Sequence, residues 1–257
     1  MFRCLRFSPQ AKRAPSRGTT GRLPLFASGY VDVMPLEPGQ LQVQREYIRN
    51  NPRSRLLRTA NRQWLQPRRG GIDTALGPNA LLGYLRRECA PAHITPEIWV
   101  ALEQRLLKEE GRVGLDTYGN RALLARTLLP VCCHRRDKHL FQQQKARCIG
   151  AARGGAVLVS ARIACGEQEI MDAAIAEGWP VVLVADNGLP PIYHPSADRT
   201  DLCAAGRLLI VSPWHYTYRR SDQSISEAEC KAMNCVAQAL CRLSDDWWEG
   251  EEVKFRD

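Results

Sequence analysis

"GGAVLVSARIACGEQEIMDAAIAEGWPVVLVADNG", residues 154–188, contains two short apolar runs, "VLV" and "VVLV", separated by a helix-like stretch. The runs are continuously apolar, where a strand with one wet face would alternate polar and apolar residues. Such strands are buried on both faces, the situation of a parallel sheet sandwiched between helices. The intervening "GEQEIMDAAIAEG" supplies the crossover helix that two parallel strands require. The reading of this stretch decides the fold class.

The same alternation extends outward. Upstream, "LLPVCCH" reads as a buried strand and "HLFQQQKARCIGAA" as a helix. Downstream, "GRLLIVS" reads as a fourth strand, and "ISEAECKAMNCVAQALCRLS" closes the region as a long helix. An α/β fold follows, a small doubly wound parallel sheet of about four strands over residues 121–244. The remaining 245–257 form an acidic tail.

The first half reads differently. Residues 1–40 hold Pro, Gly and Ser without periodicity and read as an irregular basic N-terminus. Residues 41–120 read as helical. One helix is expected over 41–50, ending at Asn50-Asn51-Pro52. A second would be capped by Asn51, begun by Pro52 and packed through Leu56, Leu57 and Trp64. "NALLGYLRREC" (79–89) reads as a short helix, and in "TPEIWVALEQRLLKEEG" Thr95 caps, Pro96 begins and Gly111 ends another.

Charge is unevenly placed. The net charge of +9 is more than accounted for by residues 1–70, which hold 14 Lys or Arg against 3 Asp or Glu. Between Arg45 and Arg69 all eight cationic residues are arginine, whose planar fork suits phosphate. Such a segment gains free energy by displacing counterions from nucleic acid. Arg45, Arg49, Arg53, Arg55 and Arg58 are therefore candidate DNA contacts.

The ten cysteines form no CxxC pair, so a reduced, cytoplasmic chain is expected. "CCHRRDKH" gathers Cys132, Cys133, His134 and His139, yet no second ligand pair accompanies it, and no metal is expected. Neither GxGxxG nor GxxxxGK[ST] occurs, and no cofactor is expected. No apolar run approaches the roughly 18 to 20 residues of a membrane span, so no membrane partner is expected. An oligomer is compatible with the sequence.

In a parallel sheet ligands bind beyond the C-terminal strand ends, where helix N-termini aim N–H groups at anions. Those positions hold Arg135 after the first strand, Ser160 and Gly166 after the second, Asn187 and Gly188 after the third, and Ser212 after the fourth. With Asn234 on the last helix they form a candidate phosphate-binding set. Glu167, at a helix start beside that rim, is a candidate acid/base.

The quoted stretch, followed by "CAAGRLLIVSPW" and "ISEAECKAMN", resembles the Rossmann-like core of the DNA-processing protein A and Lonely Guy superfamily over about residues 125–243. The resemblance implies single-stranded DNA or a nucleotide as ligand. Some members hydrolyse nucleotide monophosphates, but their Pro-Gly-Gly-x-Gly-Thr loop has no counterpart here. "YIRNNPRSRLL" resembles the tyrosine helix of repeat-associated tyrosine transposases of the insertion-sequence type, over about residues 28–60. In that family the tyrosine, here Tyr47, attacks a DNA phosphodiester with help from a metal held by a His-hydrophobe-His pair. No His precedes His93, and the 46 residues before Tyr47 are too few for the nuclease core. Tyr47 is thus read as the remnant of a nucleophile.

The expected function is nucleic-acid or nucleotide binding by a protein of mobile-element origin that lacks a complete nuclease site. The alternatives are a nucleotide N-glycosidase or phosphohydrolase, and a transposase subunit acting with a separate nuclease.

Overall fold

The computed structural model describes residues 39–70, 80–89, 93–106, 114–133, 138–218 and 224–241. The chain divides into two compact units, Met1–Asn51 and Pro52–Asp257. Residues Gln40–Ala60 are helical throughout (α1), with Pro52 inside the helix. The two helices expected here are therefore one. Proline forfeits a single N–H and crowds the preceding turn, which bends a helix without having to end it.

Within the first unit the described part is the start of α1. Its Gln42 side chain donates to Glu46 Oε1 at 3.1 Å, and Leu41 and Ile48 are exposed.

The second unit is an α/β domain on a five-stranded sheet. Its strands are β1 (Asp116–Gly119), β2 (Leu128–Pro130), β3 (Val157–Ser160), β4 (Val181–Val184) and β5 (Leu208–Ser212). The order is β1-β5-β4-β3-β2. Neighbours from β2 to β5 are parallel, and β1 lies antiparallel on β5, with Asp116 opposite Ser212. The four apolar runs of the sequence are the four parallel strands. Besides α1, the helices are α2 (Ala80–Tyr84, continued by a π-turn over Leu85–Cys89), α3 (Pro96–Leu106), α4 (Lys138–Arg153), α5 (Cys165–Ala176), α6 (Ala197–Ala204) and α7 (Glu227–Cys241).

Both faces of the sheet are covered, and strand order decides by what. Because β2 to β5 follow one another in the sheet, right-handed crossovers place α4, α5 and α6 on a single face. There Phe141, Cys148, Ile170, Met171 and Cys203 pack on Leu158, Val181, Leu183, Leu208 and Ile210. The opposite face carries Val157, Val159, Val182, Val184, Leu209 and Val211 under α7, α2 and α3. Side chains alternate across a strand, so each strand feeds both cores.

Strand β1 was not legible as a strand. "DTYG" is short and carries a charge and a glycine. It is nonetheless fully buried, because Asp116 (2% exposed) is paired with Arg105 of α3 at 2.5 Å and Arg69 at 2.5 Å. Arg105 is itself buried and also donates to the carbonyls of Gly114 and Trp214. Gly119 ends β1 at φ 111°, where a Cβ would stand 2.2 Å from the Leu208 carbonyl oxygen. Only glycine fits that turn.

No helix among the described residues is long and apolar enough to cross a membrane.

Candidate functional site

The chain leaves β4 toward the α6 face and leaves β5 toward the α7 face. Adjacent strands whose connections depart to opposite sides open a crevice at their C-terminal ends. A cavity of about 620 Å³ lies there. That volume falls within the range of small-ligand sites.

Its floor is apolar, with Leu183, Val184, Ile210, Ile225 and Met233. Its polar wall comes from three segments: Arg162 after β3, Asp186 to Gly188 after β4 with Tyr193 and Arg199 beyond, and Tyr216 after β5. Two arginines, one aspartate and two tyrosines thus line a shared space.

Arg162 is the most constrained of these residues. It sits at φ 55°, the left-handed region that a non-glycine residue occupies at a cost. The conformation is held because its N–H donates to Ser160 Oγ at 2.9 Å and its Nη2 to Asp172 at 2.6 Å. Its buried Nε donor has no partner.

The sequence-derived rim residues are brought to this end of the sheet, where several of them position the wall without forming it. Ser160 is fully buried. Its hydroxyl donates to the Val131 carbonyl at 2.8 Å and accepts the Arg162 N–H, which leaves no proton for a ligand. Ser212 is likewise buried, donating to the Asn187 carbonyl at 2.8 Å and accepting from Trp214 N at 3.2 Å. Gly166 is buried in the first turn of α5 and does not line the cavity.

Asn187 and Gly188 do line it. Asn187 is committed to the loop after β5: its Nδ2 donates to the Thr217 carbonyl at 2.6 Å, and its Oδ1 accepts from Gly188 N and Thr217 N. Gly188 lets that loop approach, since a Cβ there would lie 2.1 Å from Tyr216 N. Asn234 is half-buried on α7 outside the cavity lining, with its Oδ1 unpartnered. Arg135 lies outside the described residues.

Glu167 is 1% exposed and also outside the cavity lining. It is the third residue of α5, reaching back to the N–H groups of Ile163 (2.8 Å) and of the cap residue Ala164, half of a capping box. Burial pushes its carboxyl up to about 7, against the lowering effect of those N–H groups, the Ser160 hydroxyl and the Cys133 N–H. Glu167 thus organises the turn before α5, and its carboxyl is buried because it caps that helix beneath the rim.

Tyr193 stands edge-on to the fully buried Tyr118, ring centroids 5.1 Å apart, and burial raises the pKa of both phenols, that of Tyr118 to about 12. Arg199 hydrogen-bonds the Tyr193 side chain and favours its ionised form. Both phenols remain neutral at physiological pH.

Comparison with protein-family models, curated proteins and solved structures finds no match. The resemblances above rest on the quoted residues.

Among the arginines of the basic segment, Arg45, Arg49 and Arg55 are exposed. Arg53 pairs with Asp201 at 2.8 Å, and Arg58 is half-buried beside the Tyr118 hydroxyl. Tyr47 lies on α1, with its side chain outside the described part. Among the described residues no group of three or more His, Cys, Asp or Glu side chains could hold a metal ion, and the nine cysteines there form no disulfide. His134 lies outside the described residues.

Sequence reasoning missed Arg162, Tyr193, Arg199 and Tyr216. Apart from Arg135 the expected rim set was Ser, Gly and Asn, whereas the cavity lining also holds these long side chains. Arg199 belongs to α6, whose "ADRTDLCA" carries too weak a pattern to announce a helix.

Proposed function

We propose that the α/β domain binds a nucleotide, free or as part of a single strand, in the cavity at the ends of β3, β4 and β5. The observation that carries this reading is the cavity itself, at the C-terminal ends of adjacent parallel strands, with Arg162 (held at φ 55°) and Arg199 both in its lining. Two guanidinium groups suit a phosphate. Tyr193 and Tyr216 offer ring faces to a base, and the Asp186 carboxylate is an acceptor for sugar hydroxyls or a base amino group. Exposed arginines of α1 add sequence-independent contacts to phosphates. The tyrosine-helix resemblance favours an origin among mobile-element proteins.

The test is thermal. A nucleoside monophosphate at one hundred times its dissociation constant stabilises the native state by about 2.7 kcal/mol, visible as a rise in Tm. Arg162→Gln and Arg199→Gln should each reduce that rise. If nucleoside monophosphates and oligonucleotides leave Tm unchanged, the reading is wrong.

A further inference from the structure

The loop after β5 presents two tyrosines to solvent, Tyr216 at 47% and Tyr218 at 67% exposure. Exposed aromatic rings on a surface loop are ordinarily accompanied by a mobile backbone. Here the backbone is held from Trp214 to Thr217. Trp214 N donates to Ser212 Oγ, and the Trp214 carbonyl accepts from Arg105 Nε at 3.3 Å. Thr217 is held by Asn187 through its N–H, its carbonyl and its hydroxyl. Gly188 presses against Tyr216 N with no room for a Cβ. Residues 214–217 are thus restrained before anything binds, which lowers the ordering cost of binding there.

Tyr216 lines the cavity, and Tyr218 stands two residues further along the chain. Two residues span no more than about 7 Å, so the backbone of Tyr218 lies within that distance of Tyr216 at the cavity edge. The adjoining wall carries Arg162 and Arg199 beside Asp186. An arginine-bearing pocket continued by exposed aromatic rings suits a single strand, whose bases stack on ring faces without regard to sequence.

Resting on the cavity reading above, we propose that Tyr216 and Tyr218 form a stacking platform that carries the site over at least two successive nucleotides. The ligand is then a single-stranded nucleic acid, with one base against Tyr216 inside the cavity and the next against Tyr218. A mononucleotide fills only part of the site.

Titrating the full chain with oligothymidylates of one, two and four nucleotides, by calorimetry or fluorescence, tests this. The dinucleotide should bind about ten-fold more tightly than the mononucleotide, the size of one added stacking contact. Tyr218→Ala should weaken binding of the two longer ligands about ten-fold and leave the mononucleotide unchanged, whereas Tyr218→Phe, which keeps the ring face, should bind like the parent. Tyr218 is too exposed for its replacement to threaten the fold. Equal affinities for all three lengths, or an unchanged tetranucleotide affinity in Tyr218→Ala, would remove the platform and leave the mononucleotide cavity standing. Failure of all three ligands to bind would remove both.

Discussion

The Asn187 side chain, just past the end of β4, grips Thr217 in the loop after β5. Its Nδ2 donates to the Thr217 carbonyl at 2.6 Å, and its Oδ1 accepts from Thr217 N at 3.1 Å and from Thr217 Oγ1 at 3.3 Å. One amide thereby ties together two connections that depart to opposite faces of the sheet. Asn187→Ala should cost about 2 kcal/mol in chemical denaturation and speed amide exchange at Thr217, with the core strands unaffected. Asn187→Asp retains the acceptor and loses the donor, so its effect should be intermediate. If exchange at Thr217 is unchanged in both variants, the tie does not hold the loop.

Gly188→Ala is the steric counterpart. Its Cβ would stand 2.1 Å from Tyr216 N, a backbone atom that cannot swing aside. Overpacking of this kind costs about 3 kcal/mol, and the loop that carries Tyr216 must move. Reduced stability together with loss of the nucleotide-induced Tm shift is expected. An alanine variant that is fully stable would show that the loop yields freely.

Glu167 gives a pH dependence of definite sign. Its folded-state pKa of about 7 lies above the ordinary 4.5, so between these values the folded state holds the proton more tightly than the unfolded one. The contribution is therefore favourable at low pH and is lost as pH rises toward and past 7, by on the order of 3 kcal/mol. The neighbouring Cys132 and Cys230 thiols have raised pKa values and stay neutral throughout that window. Denaturation of Glu167→Gln at a series of pH values should show less loss between pH 5 and 7.5 than the parent. Parallel curves would mean that Glu167 titrates normally.

Two ion pairs should differ sharply in weight. Arg105 and Asp116 are 6% and 4% exposed at their side chains, whereas Arg86 and Glu103 are 66% and 31% exposed. Arg105→Met leaves a buried carboxylate with one cationic partner, Arg69, and the Gly70 N–H beside it, a loss of about 3 kcal/mol. Arg86→Ala should cost less than about 1 kcal/mol. Comparable losses for the two variants would contradict the burial argument.

The basic helix is testable by salt. If the exposed Arg45, Arg49 and Arg55 contact phosphates, log affinity for DNA should fall linearly with log salt, and each Arg→Gln change should reduce the slope by about one. An unchanged slope in the triple variant would place the phosphate contacts elsewhere.

The α/β class and its four parallel strands could be read directly from the chain. Continuous runs such as Val181–Val184 have no comfortable place except between two layers of helices, and that constraint is local in sequence. The end of the sheet at which the cavity opens was legible for the same reason, since strand direction follows from the βαβ alternation. The antiparallel β1, by contrast, depends on Arg105 and Arg69 reaching Asp116 from distant positions, a pairing that no short window of sequence contains. The composition of the cavity wall was equally hidden. Ser160, Ser212 and Asn187 are the polar residues expected there, but folding spends their hydrogen bonds on Val131, Arg162, Trp214 and Thr217. The long polar side chains that line the cavity are Arg162, Asp186, Arg199, Tyr193 and Tyr216. Sequence determines which polar groups exist, and only tertiary packing decides which of them are already satisfied.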